Sequence, residues 1–176
     1  SKSPTSVWRR PVLPGARSHA QVFGRAVEAV PPITAIATTP SAPDQPALAA
    51  VDGKASTSWA AAEGSTAAGV IIVLPDTRTI AGLRIQGRVA VESRVAVSWL
   101  SAEGQFPFFG GEVAGPFDGE IVLDLSLERA VTDRLLVTLS GPHVPADAIV
   151  ELIPLAFAGQ QSPRLLPPDG VSTGGS

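Results

Sequence analysis

The chain has no cysteine, no methionine and no tyrosine among its 176 residues. Without cysteine there is no disulfide, no thiolate nucleophile and no Cys-ligated zinc. Charged residues make up only 16%, and the net charge of -3 argues against a chain that binds nucleic acid over its whole surface. No apolar run approaches the roughly 18 residues that a membrane-crossing helix needs, so no membrane span is expected. The N-terminus lacks the apolar stretch of a signal peptide, although a cleaved leader or a lost initiator methionine would leave the same chain. The two histidines, His19 and His143, fall in no recognisable Ser/His/acid or metal-ligand spacing, and no phosphate-binding glycine motif opens a helix. Catalysis is not expected.

What the chain does hold is 44% hydrophobic residues, 17 glycines and 17 prolines, a globular and turn-rich composition. Its length suits one domain with flanking arms. The charge is split. Residues 1–30 carry Lys2, Arg9, Arg10, Arg17 and Arg25 against Glu28 alone, and the acidic excess lies in the rest. A basic arm on an acidic body is the expected arrangement. Residues 1–17 have three prolines and no periodicity and read as extended. Within them Trp8, beside Arg9 and Arg10, suits docking into a partner's groove. Val22, Phe23, Ala26, Val27 and Val30 share a helical face, with Ser18 and Gln21 at capping-box spacing and Pro31–Pro32 at the end. This pattern predicts a short helix over 18–30.

From residue 33 onward the pattern is β. Runs at 33–38, 69–74, 79–86, 94–100, 119–126, 133–140 and 149–157 alternate or are wholly apolar, and an eighth strand is expected within 105–114, where Gly and Pro blur the signal. Val95, Val97 and Trp99 share one face, as do Ile121, Leu123 and Leu125, and Leu135, Val137 and Leu139. Period-2 runs broken by turn residues predict an all-β fold, an antiparallel sandwich or barrel. Asp118, Glu120 and Asp124 fall on outward rows and read as solvated. Residues 1–32 form the arm with its short helix, 33–158 the β domain, and 159–176 a tail or linker.

Residues 49–59 read AAVDGKASTSW. Physically this is a tight loop: Gly53 allows a positive φ, Asp52 can accept nearby amides, and Trp59 anchors the loop in the core. Glu151 sits between Ile149 and Ile153 on an otherwise apolar strand, where a buried carboxylate without a partner is costly.

The DG-x-x-x-T-x-W stretch from Asp52 to Trp59 resembles the signature of discoidin domains, the coagulation factor V/VIII C-type family, which overlaps with galactose-binding-like carbohydrate-binding modules. Ile33–Thr38 resembles the family's strand before that loop. Thr79–Arg88, ending in Gln-Gly-Arg, and the strands Arg134–Leu139 and Ala148–Leu152 resemble later strands in order. The resemblance covers roughly 33–158. It implies an eight-stranded antiparallel jelly-roll β-sandwich and a non-catalytic binding or adhesion module that recognises glycan through loops at one end. It also implies a structural calcium ion, held by the Asp52 carboxylate, the carbonyls of Ala49 and Lys54, Thr57, and Glu151 from the last strand. Arg88 and His143 are the expected polar ligand contacts, with Phe106 and Phe108 as exposed apolar ones, although the bland reading of the three Phe between 106 and 109 is a satellite core beneath the arm. Trp59 and Trp99 are expected in the core. The chain departs from the family pattern in lacking Tyr and a disulfide. The alternative is a structural or assembly subunit of an envelope, appendage or virion complex that docks on neighbours through its arms. The expected partners are a glycan or a protein, and the setting extracellular, cell-surface or virion.

Overall fold

The computed structural model describes residues 6–10, by backbone alone, together with 26–101 and 106–158. Nine strands are found among the described residues: β1 (Ser6–Arg10), β2 (Val27–Ala29), β3 (Thr34–Ala37), β4 (Ala67–Val89), β5 (Arg94–Leu100), β6 (Pro107–Ala114), β7 (Phe117–Asp124), β8 (Ala130–Ser140) and β9 (Ala148–Phe157). All pairings are antiparallel. The expected runs at 69–74 and 79–86 are one 23-residue strand, β4. Its register with β8 shifts between Val73 and Arg78, around Pro75, which has no amide hydrogen to give to a ladder.

That shift lets β4 serve two layers. Its first half lies between β3 and β8, followed by β5 and β6. Its second half lies between β9 and β7, with β2 outside β9 and β1 outside β7. Inward residues of both layers meet in one core. Val70, Ile72, Val95, Val97, Leu135, Val137 and Leu139 come from the first layer, and Leu83, Ile85, Ile121, Leu123, Ile149 and Leu152 from the second. Fully burying each such side chain contributes about 1.5–3 kcal/mol. The result is the all-β sandwich that the alternation predicts. Trp59 is fully buried in this core, and Trp99 is half-buried against it.

The arm differs from expectation. Val27–Ala29 is strand, not helix: it pairs with Leu155–Phe157, and the Val30 amide donates to the Pro154 carbonyl at 2.8 Å. The open edge of β9 offers these residues backbone partners, and that overrides a short helical pattern which cannot stand without packing. The remainder of the expected helix, 18–25, and the tail 159–176 lie outside the described residues. Ser6–Arg10 adds a strand to this chain's own β7, with Trp8 opposite Val122, Arg9 opposite Ile121 and Arg10 opposite Glu120. No helix among the described residues is long and apolar enough to cross a membrane.

Candidate functional site

The register divides the sandwich into two ends. At one end lie the start of β4, the turn 90–93, the β6–β7 turn and the loop 141–147. At the other lie the crossover of β4 near 74–78 and the start of β6. The Asp-Gly loop packs at the first end. A single 3-10 turn, Ala47–Ala50, delivers the chain into it, and Trp59 exchanges backbone hydrogen bonds with Ile149 at its exit (2.8 and 2.9 Å). Gly53 has φ +75°, a left-handed conformation that glycine adopts without a Cβ penalty.

Within the loop the Lys54 amide donates to Asp52 Oδ1 (2.9 Å), and the Thr57 hydroxyl donates to Asp52 Oδ2 (2.6 Å). These two bonds, the hydroxyl first, hold the Asp52 carboxyl below its ordinary value. The Gly53 amide reaches across to Glu151 Oε2 on β9 (3.0 Å). Desolvation pushes Glu151 up, and the nearby Asp52 charge adds to that. Asp52, Lys54, Thr57 and Glu151 are thus brought together, with Ala49 in the turn that leads in. Two carboxylates repelling across a turn rich in backbone oxygens suit a hard cation, which wants about 6–8 oxygens in flexible geometry. No three acidic, imidazole or thiol side chains gather anywhere among the described residues. A cation here would therefore depend on carbonyl and hydroxyl oxygens as well as on the two carboxylates.

Beside the loop, on the outer face of the second layer, is an open cleft of about 330 Å³ lined by Ser56, Thr57, Ser58, Gln86, Arg88 and Asp118, with Val150 and small residues between them. Arg88 and Asp118 are register partners across β4 and β7. Among the described residues, neither makes an ion pair or a side-chain hydrogen bond. Gly87 forms the floor: a Cβ there would collide with the Ala148 carbonyl. Gln86, Ser56, Ser58 and Asp118 were not expected as site residues. Asp118 is brought to Arg88 by a pairing 30 positions apart. Of its companions on the outward row, Glu120 is buried beside Arg84 (3.9 Å), and Asp124 accepts from Ser126 (2.6 and 2.8 Å).

His143 stands in the 141–147 loop at the same end, exposed, with Nε2 3.6 Å from Glu92, and it does not line the cleft. The two loops there are pinned by buried Asp147, whose Oδ1 accepts from the Ala90 amide (2.8 Å) and the Ser93 hydroxyl (3.2 Å). Phe106 and Phe108 lie at the opposite end of the sandwich, so they do not share a site with Arg88. They are exposed, at 63% and 45%, as is Phe109 at 54%, so the expected satellite core is not formed; Phe108 and Phe109 are consecutive on β6 and face opposite sides of it. Phe108 stacks on Trp99, centroids 4.5 Å apart, because the two are register partners on β5 and β6. For Trp8, Arg9 and Arg10 the backbone position on β7 is all that is described.

No protein-family model and no curated protein matches the chain. Solved structures do match. The fifth family 32 carbohydrate-binding module of a Clostridium perfringens glycoside hydrolase, in complex with GalNAc-β-1,3-galactose, is 17% identical (TM-score 0.60; 72% of this chain, 99% of that one). The second chitosan-binding module of a Paenibacillus sp. IK-5 chitosanase/glucanase, in complex with chitotriose, is 18% identical (TM-score 0.57; 71% and 97%). The family 32 module of Clostridium perfringens NanJ, in complex with galactose, is also 18% identical (TM-score 0.54; 73% and 98%). This chain has their fold, the discoidin-type, galactose-binding-like jelly roll.

Proposed function

We propose that the chain is a non-catalytic glycan-binding module, and that sugar docks in the cleft at the Asp-Gly end. The unengaged Arg88–Asp118 pair carries this reading. A guanidinium and a carboxylate side by side supply donors and acceptors that match vicinal hydroxyls, and Gln86, Ser56 and Ser58 extend the same polar lining. The fold agrees: solved neighbours are in complex with galactose, with GalNAc-β-1,3-galactose and with chitotriose. No aromatic side chain lines the cleft among the described residues. Recognition would therefore rest on hydrogen bonds, which discriminate by leaving unmatched polar groups unpaired. Such a module works in the extracellular space or at a surface, where glycans are displayed.

The same reading gives the Asp-Gly loop a calcium ion, held by Asp52 and Glu151 with the carbonyls of Ala49 and Lys54 and the Thr57 hydroxyl. Bound there, the ion would offset the repulsion between the two carboxylates and tie the loop to β9, which forms one wall of the cleft. A glycan array probed with the full chain and with Arg88→Ala tests the assignment. Binding by the former and loss in the latter is expected, and equal signals from both would overturn it.

The exposure of Phe106 and Phe108 at the far end of the sandwich favours a second reading, a subunit that docks on a protein neighbour. The arm speaks against an arm-borne version, since Ser6–Arg10 is already paired with its own β7.

A further inference from the structure

The cleft does not end at Gln86. A second hollow of about 180 Å³ adjoins it and shares Ala55, Gln86 and Val150 as a common wall; its own lining includes Arg84, Lys54 and Glu151. Arg84, Gln86 and Arg88 alternate on the outer face of β4, whose inward positions 83, 85 and 89 are in the core. Four residues of strand separate the two arginines by about 13 Å, which is longer than one pyranose ring. Arg84 is poorly engaged. Its Nε is shielded from solvent yet has no hydrogen-bond partner, and its contact with Glu120 is long, at 3.9 Å. Buried donors are rarely left unpaired without a reason, and this one lies beside a hollow open to ligand.

We propose that the two hollows are adjoining subsites and that the ligand is an oligosaccharide lying along the outer face of β4. One unit sits on Arg88 and Asp118. The next passes over Gln86 to meet Arg84 and Lys54, with Glu151, turned toward the Asp-Gly loop, balancing their charge. This rests on the cleft being a sugar site and adds the length of the sugar. The outer subsite pairs cations with a carboxylate, so it accepts hydroxyl-rich units without demanding a charged one.

The test is calorimetric titration of the full chain with two ladders of one to five units, glucosamine oligomers and galactose-terminated oligomers, in wild type, Arg84→Met and Lys54→Ala. The ladder that binds identifies the sugar series. Affinity is expected to rise about tenfold between one unit and three, the worth of one charge-assisted hydrogen bond, and that ratio to collapse toward one in Arg84→Met. Lys54 is on an exposed turn, so Lys54→Ala repeats the readout should Arg84→Met fail to fold. A flat ladder in wild type, with the single unit still bound, overturns the second subsite and leaves the first standing. A ratio unchanged in both variants does the same. No binding at any length overturns the sugar reading of the cleft, and this inference with it.

Discussion

Replacing Asp147 should loosen the end of the sandwich that carries the cleft, and the size of the effect can be worked out. Asp147 is 1% exposed, and its Oδ1 accepts from the Ala90 amide and the Ser93 hydroxyl. It thereby joins the β4–β5 turn to the β8–β9 loop. Hydrogen bonds to a charged acceptor contribute about 1.5–3 kcal/mol each. Against that, Asp147 Oδ2 is buried without a partner, and burying a carboxylate costs several kcal/mol. Asp147→Ala removes both terms and leaves the Ala90 amide unsatisfied, so a net loss of about 2–4 kcal/mol is expected. For a chain of this size that lowers Tm by roughly 5–15 °C. Asp147→Asn keeps one acceptor oxygen and should cost about 1 kcal/mol near neutral pH. The pH dependence gives a second readout. Desolvation raises this carboxyl above its ordinary value of 3.8, against the lowering influence of the Ala90 amide, Ser93 and His143. The folded state therefore holds the proton more tightly than the unfolded chain. The stability contributed by this group is complete below pH 3.8, falls as pH rises through the raised folded value, and is level above it. Thermal melts of wild type and Asp147→Asn across pH 3.5–7.5 isolate it, because Glu151, shifted in the same direction, is common to both. The wild-type advantage should be largest at the acid end and shrink toward neutrality. A gap that is constant or widens with pH, or an Asp147→Ala variant as stable as wild type, would refute the reasoning.

Other outcomes follow from the same geometry. Calcium at about 100 times its Kd should stabilise the fold by about 2.7 kcal/mol, seen as a rise in Tm reversed by chelator and lost in Asp52→Ala or Glu151→Gln; no heat of binding and no shift would remove the ion. Arg88→Ala should weaken sugar binding at least about tenfold with Tm unchanged within a degree or two, because Arg88 is exposed and makes no ion pair among the described residues. Gly87→Ala should destabilise by roughly 1–3 kcal/mol through overpacking against the Ala148 carbonyl, and urea melts that coincide with wild type would disprove it. Phe108→Ala should cost about 1 kcal/mol through loss of the stack on Trp99 and change the Trp fluorescence, whereas an unaltered spectrum would place the ring away from the indole.

Most of the body was legible because its signals are local. Strand β5 has the bounds that its alternation predicts, and β6 lies within the stretch blurred by Phe, Pro and Gly. The Asp-Gly loop announced itself because Asp52, Gly53 and Thr57 act within five residues of one another, and Glu151 because it interrupts an apolar strand. The cleft was less legible. Asp118 meets Arg88, and Gln86 aligns with Glu151, only through long-range register that includes a shift between Gln86 and Gly87. Pairing order, not composition, brings those groups to one place. The arm misled for a related reason. Val27 and Val30 fit a helical stripe, but the unpaired edge of β9 was invisible in the residues that pair with it. Phe106 and Phe108 were expected as ligand contacts alongside Arg88 and His143, and only the direction of the β5–β6 hairpin puts the phenylalanines at the other end.

The continuity of β4 bears on how the molecule opens. Two stacked sheets joined by loops can breathe apart, each with its own amide-exchange rate. Here one unbroken strand supplies a central member to both, pairing with β3 and β8 in one half and β7 and β9 in the other. Neither layer can lose its middle without disturbing the other. The amides of β4, β7, β8 and β9 should then exchange with deuterium as one cooperative unit near the global unfolding free energy, while β2 and β6, each at an edge, exchange earlier. A backbone cut within residues 74–78, where β4 passes from β3 and β8 to β7 and β9, should split that unit into two with separate exchange rates.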